Sequence, residues 1–268
     1  MLARNIDDMI ELNGRSASAE DLLPLALSNY GHFTSMRVAD MRVRGLALHL
    51  DRLARDSQAL FGAGLDLDRV RHLIRRGAAA GPVVRVTGYD PGLDIGRPVA
   101  AGEPQMLVTA HAANPGELPP VRLATVRHTR AIPEVKHVGL LSTVHHRRQS
   151  QLAGFDDVLF VDSQSRVSEG ATWNIGFVGG GRVVWPDAPC LEGVTMRLLD
   201  GILRQAGIPS ETVAVDPGDL SRFRSGFITN AVIGLRPVAA IDDQAYPEDV
   251  ALLSLLRERY AAMPGDPL

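Results

Sequence analysis

The 268 residues are 45% hydrophobic and 22% charged, enough apolar material for a buried core in one large or two modest domains. A formal net charge of -3 provides no basic field to hold nucleic acid or an anionic membrane surface, so neither partner is expected. Cys190 is the only cysteine, which rules out an intrachain disulfide, and no run approaches the about 18 apolar residues that span a bilayer. The expectation is a soluble, unexported, cytoplasmic protein.

In chain order, Met9 to Arg15 reads as a hairpin and Phe33 to Val38 as an extended stretch. Leu46, Leu50, Leu53 and Leu60 fall at helical spacing. A second helix covers Asp68 to Ala80 and stops before Gly81-Pro82, because a proline disfavours helix in the residue before it. Val83 to Thr87 and Gln105 to Ala110 read as strands, and the breaker-rich AANPGELPP from Ala112 as a linker. Beyond it come a strand over Val121 to Val126 and a helix over Leu140 to Ala153. Three β-prone runs follow, Val158 to Val161, Trp173 to Val178 and Arg182 to Trp185, separated by SQSR and GGG as hairpins require. Val194, Leu198, Leu199, Ile202 and Leu203 describe a helix closed by Gly207, and Phe227 to Thr229 a strand running into a loop at Asn230. Mixed sheet and helices in two unequal parts make the class α+β.

One residue departs from the chain's own habit. Of 28 basic residues, Lys136 alone is lysine. A coding bias toward arginine accounts for the general depletion but not for the exception. Arginine stays protonated and cannot act as an amine nucleophile, whereas a lysine amine can attack a carbonyl. Either a lone surface lysine survived, or a role that needs a neutral amine retained it. No metal site is expected: His145 and His146 are adjacent on a helix, where neighbouring side chains diverge, and no HExxH or CxxC accompanies them. His145-His146-Arg147-Arg148 reads instead as a solvated or interface face.

Seven segments together resemble a known family. They are GHFTSMRV from Gly31, HLDRL from His49, VKHVGLL from Val135, GFDDVLFVD from Gly154, SEGATWNI from Ser168, LEGVTMRLL from Leu191 and FITNAVIGLRPV from Phe227. In this order and at these intervals they resemble the class IV aminotransferase superfamily, which includes branched-chain and D-amino-acid aminotransferases and aminodeoxychorismate lyases. The resemblance implies a two-domain D-amino-acid aminotransferase-like fold. A small N-terminal α/β domain over 1–112, a linker over 113–120 and a large C-terminal domain over 121–268 with the cofactor site are expected. It also implies pyridoxal 5'-phosphate as cofactor, a homodimer, and a small amino acid, keto acid or amine as substrate.

Residue by residue, the resemblance makes Lys136 the Schiff-base lysine, which is then the general acid/base that moves the substrate proton. Glu169 stands where a carboxylate pairs with the pyridine nitrogen, although Ser168-Glu169-Gly170 also reads as a plain polar turn. Arg52 matches the phosphate arginine, the alternative being an ordinary helix arginine. Val194 and Thr195 open a helix whose N–H groups and dipole attract an anion, and Thr195 also suits a helix cap. Leu191 matches the aliphatic residue on the ring face, a position that core packing alone would also justify.

Asn230 and Ala231 stand where transaminases carry Gly/Ser and Thr. Ala231 brings no hydroxyl, so only its backbone N–H, with Asn230, reaches the phosphate. Phe33, Thr34 and Ser35, expected with Arg85 to meet substrate, resemble the lyase's Phe-Thr-Thr more than the transaminases' Phe-Glu-Gly or Tyr-Glu-Val, and the segment lacks the usual family acid. Leu141 stands where branched-chain enzymes carry a tyrosine, which separates the branches poorly. For a substrate carboxylate, Arg85, Arg37 and His32 are the nearest candidates. The expected activity is that of a class IV aminotransferase. The runner-up is 4-amino-4-deoxychorismate lyase, releasing pyruvate and p-aminobenzoate, and the third reading is a non-catalytic binding relative.

Overall fold

The computed structural model describes residues 9–100, 102–113, 118–247 and 251–268. Two compact units share the chain. The described residues of Met1–Pro115 join Val135–Gly139 and Pro264–Leu268 in the first, while those of Gly116–Glu134 and Leu140–Met263 form the second. The expected linker at 113–120 lies in part, at 114–117, outside the described residues.

The first unit begins with β1 (Met9–Leu12) and β2 (Arg15–Ser16). They are joined by Asn13-Gly14, both at positive φ (53° and 91°), the pair that a two-residue hairpin turn favours. Next comes α1 (Ala19–Ser28), opened by a capping box between Ser18 and Asp21 and closed by Asn29 in the left-handed region. This helix was not read from the sequence. None of its residues is fully buried, so it carries little of the apolar periodicity by which helices are recognised.

Then follow β3 (His32–Ala39), β4 (Arg42–Val43), α2 (Leu46–Phe61), α3 (Leu67–Ala80), β5 (Val83–Tyr89) and β6 (Gln105–His111). With β16 (Asp266–Pro267) at its edge, the sheet runs β16-β4-β3-β5-β6-β1-β2, antiparallel at every pairing. Side chains alternate across β3, so Met36 and Val38 join Val84, Val86, Val108 and Ala110 under the leucines of α2 and α3. Phe33, Ser35, Arg85 and Thr87 share the opposite face, because Phe33 pairs with Thr87 and Ser35 with Arg85.

The second unit contains β7 (Val121–Arg127), α4 (Leu141–Leu152), β8 (Asp157–Val161), β9 (Val167–Gly170), β10 (Asn174–Gly179), β11 (Arg182–Pro186), α5 (Val194–Gln205), β12 (Ser210–Val213), β13 (Ser225–Asn230), β14 (Gly234–Ile241), β15 (Gln244–Ala245) and α6 (Ala251–Ala262). Its sheet follows the order β12-β11-β10-β13-β14-β7-β8-β9, and β9 meets β10 again at Glu169 and Asn174, which closes a ring of six strands. Trp173, Ile175, Phe177, Leu123, Leu159 and Ile228 are among the residues of one core, and α5 and α6 pack on Val183, Trp185 and Phe227 in another.

The three expected hairpin runs are interrupted here. SQSR connects β8 to β9, a strand not among the predicted runs, and only the Gly180-Gly181 turn links two of those runs directly. All four residues of β9, VSEG, are buried, so the polar-turn alternative for Ser168-Glu169-Gly170 fails. Its glycine is required by packing. A Cβ on Gly170 would come within 2.1 Å of the Trp173 ring, whose Nε1 donates to Asp157 at 2.8 Å.

Candidate active site

In the first unit, Lys136 is held by both of its backbone polar groups. Its carbonyl accepts the N–H of Phe33 at 2.9 Å, and its N–H donates to Asp56 Oδ2 at 3.0 Å. Val138 donates in turn to Gly31, so the segment lies along the start of β3. The side chain of Lys136 lies toward the face of β3 that carries Phe33, with Nζ 4.8 Å from the ring centroid. Arg85 stacks on the same ring at 3.6 Å and donates to Thr87 at 3.2 Å. Burial pulls its guanidinium down to about 10, which leaves it charged at neutral pH. Of the four residues expected to meet substrate, Phe33, Ser35 and Arg85 are therefore on one face near Lys136. Arg37 is exposed, and His32 is fully buried on the other face with both ring nitrogens lacking a partner among the described residues.

Thr34 points away from that group. It lies between β3 and α2, where its hydroxyl is 2.7 Å from His49 Nδ1 and accepts from Arg52 Nη2 at 2.5 Å. Helix α2 presents two stripes: Leu46, Leu50 and Leu53 to the core, and His49, Arg52 and Asp56 to this polar layer. Arg52 is buried, and burial lowers it to about 10. Its Nε has no acceptor among the described residues.

In the second unit, Glu169 on β9 forms an ion pair with Arg130 at 2.8 Å, both side chains buried, and its other oxygen accepts the N–H of Leu191 at 3.3 Å. Arg130 also donates to the carbonyl of Pro133. Nothing in the sequence singled out Arg130 among its 27 arginines. Only the packing does so. Asn174 donates to the carbonyl of Leu191 at 2.6 Å, and its Oδ1 lies so close to Gly193 that a Cβ there would sit 2.1 Å away. The Leu191–Glu192–Gly193 turn is thus fastened to β9 and β10 from both ends, which aims the N-terminus of α5.

That N-terminus has no side-chain cap, and its first turn holds no acid. Val194 and Thr195 are buried, and Thr195 Oγ1 has no partner among the described residues. Leu191 is buried beside them. Cys190 is pushed up to about 12, by burial first and then by the charge of Glu169. Asn230 uses its side chain locally: Oδ1 accepts the N–H groups of Val232 and Ile233, both at 2.9 Å, and Nδ2 donates to Thr172. It shapes the turn that carries Ala231.

Residues 31–241, well over half the chain, match the family model for amino-transferase class IV. A probable branched-chain-amino-acid aminotransferase of Synechocystis is 26% identical over 113 residues, which span 41% of this chain and 37% of that relative's length. Among solved structures, the branched-chain aminotransferase of Thermoproteus uzoniensis with norvaline is similar with a TM-score of 0.85 at 20% identity, over 94% of this chain and 93% of that one. The T.th. branched-chain amino acid aminotransferase with pyridoxamine 5'-phosphate gives 0.83 at 18% identity, over 97% and 94%. The fold is shared with these structures along nearly its whole length, and the chain belongs to the class IV aminotransferase family.

Proposed function

We propose that this chain is a pyridoxal 5'-phosphate-dependent aminotransferase that acts on an amino acid or a related amine, with Lys136 as the residue that carries the cofactor. The carrying observation is that the only lysine of the chain is pinned by backbone hydrogen bonds beside a helix that buries an arginine with an unused donor. Buried donors without acceptors are rare and costly, and a phosphate group is the kind of acceptor that satisfies them. Thr195 Oγ1, likewise buried and without a partner among the described residues, and the uncapped start of α5 also suit an anion.

Bound pyridoxal phosphate supplies an aldehyde for covalent attachment and a ring that takes up an electron pair when a Cα–H bond breaks. The Lys136 amine would hold the group and could move a substrate Cα proton. Glu169 would pair with the pyridine nitrogen; a carboxylate accepts from several donors at once and so could serve a ring N–H as well as Arg130 and Leu191 N–H. Arg52, Val194, Thr195 and the backbone of Asn230 and Ala231 would bind phosphate, and Leu191 would pack on the ring. Phe33, Ser35 and Arg85 meet substrate, Arg85 at a carboxylate.

The assembly we propose is a homodimer. Leu23 and Leu27 of α1, with Leu141, Val144 and Leu152 of α4, supply exposed apolar surface for it. The location we propose is cytoplasmic; no helix among the described residues is long and apolar enough to cross a membrane.

Purified protein with added pyridoxal phosphate is expected to show the visible absorbance of a lysine-linked cofactor, which Lys136→Ala abolishes. Amino-group exchange with D- or L-amino acids or primary amines sustains the proposal. Pyruvate and p-aminobenzoate from aminodeoxychorismate would replace it with the lyase reading, and absence of the band would leave a binding relative.

A further inference from the structure

We infer that Thr34 and His49 are positioning residues that hold Arg52 for the cofactor phosphate through a hydrogen-bond chain of fixed direction. The inference rests on the assignment of Arg52 to that phosphate. A guanidinium only donates, so the 2.5 Å contact occupies a lone pair of the Thr34 hydroxyl. The single hydroxyl proton of Thr34 then has His49 Nδ1 as its acceptor, at 2.7 Å. On this direction the nitrogen is bare and the ring proton sits on Nε2, which is buried without a hydrogen-bond partner among the described residues. The 3.5 Å separation between Arg52 Nη2 and the same Nδ1 favours this tautomer, in which the guanidinium faces a lone pair and not a second N–H.

Burial holds His49 neutral, assisted by the charges of Arg52 and Lys136. The chain Arg52 to Thr34 to His49 therefore contains one charge and two neutral groups. Asp56, one helical turn beyond Arg52, is hydrogen-bonded to the Lys136 N–H and to Arg55. Arg52 is thus oriented by a hydroxyl that neutralises none of its charge, while His49 fixes which way the hydroxyl points. A carboxylate in place of Thr34 would hold the guanidinium equally well and would cancel the field that an anion feels.

Two measurements test this. Because Lys136 is the only lysine, pyridoxal, which lacks the phosphate, forms its side-chain linkage at the same amine as pyridoxal phosphate. The ratio of the two dissociation constants therefore isolates the phosphate contribution. Thr34→Val is expected to weaken pyridoxal phosphate about tenfold while pyridoxal changes less than about twofold, with Thr34→Ser restoring the ratio. In cofactor-free protein labelled with 15N-histidine, His49 is expected as the Nε2–H tautomer at pH 7. An Nδ1–H or protonated ring, an unchanged ratio in Thr34→Val, or equal losses for the two ligands would overturn the inference. Arg52→Met separates it from the reading beneath. If Arg52→Met collapses the ratio and Thr34→Val does not, only the positioning role fails. Should Arg52→Met leave the ratio intact, the phosphate assignment itself fails.

Discussion

Two buried arginines in this protein are treated in opposite ways. Arg130, in the second unit, meets a carboxylate at 2.8 Å and a backbone carbonyl, so its charge is neutralised within the fold. Arg52, in the first unit, is buried to a similar degree but rests on a threonine hydroxyl and keeps a donor without an acceptor among the described residues. The difference separates a charge that stabilises local structure from one held in readiness for a ligand. A carboxylate in direct contact lowers the cost of burying a cation; Arg52 has only the longer-range attraction of Asp56, which leaves more of its charge available at the expense of apo stability.

The comparison breaks most sharply on removal of each cation. Arg130→Met leaves Glu169 buried without its arginine and is expected to lower unfolding stability by about 3 to 5 kcal/mol. Arg52→Met leaves buried Asp56 its ion pair with Arg55 and the Lys136 N–H, so it is expected to stay within about 1 kcal/mol of the parent, or to exceed it, in cofactor-free protein. Denaturant unfolding of the two variants decides the matter, and similar losses would erase the distinction.

Acid sharpens it next. His32 is lowered to about 4 by burial, and His49 well below its usual value by burial and by the charges of Arg52 and Lys136. In the unfolded chain both take up a proton near pH 6.5, so the unfolded state binds more protons below that pH. Stability is then fully present above about 6.5 and falls as the pH drops toward about 4, by up to about 1.4 kcal/mol per unit for each histidine. Unfolding across the range from neutral to mildly acidic pH should trace that slope, and His49→Gln should flatten it by that residue's share, with His128 and His146, also lowered, keeping theirs.

The smallest effect is expected at the α5 start. Thr195→Val removes a buried hydroxyl with no partner among the described residues, so cofactor-free stability should be unchanged or up to about 1 kcal/mol higher. Pyridoxal phosphate should bind about three- to tenfold more weakly. Equilibrium dialysis against the cofactor reads this, and unaltered affinity would remove Thr195 from the phosphate contacts.

Legibility in the sequence followed burial pattern. Helices α2, α3 and α5 announced themselves because each repeats apolar residues on one buried face, and β3, β5 and β6 because their runs are β-prone and bounded by breakers. Helix α1 did not, since it lies on the surface with no fully buried residue, and β9 did not, since four wholly buried residues show no alternation. The lone lysine stood out by composition. Arg130 and the Asp56 clasp on Lys136 were invisible, because neither residue differs in type or local context from its many surface counterparts.

From its letters alone, then, the chain determined its class, most of its elements and the singular amine, because periodicity and composition are local or additive properties. Only tertiary structure decided that Thr34 turns away from Phe33 to meet Arg52, that Arg130 answers Glu169, and that Asn174 and Gly193 fasten the start of α5. Those choices depend on which strand faces which helix and on ångström-scale approaches between residues far apart in sequence.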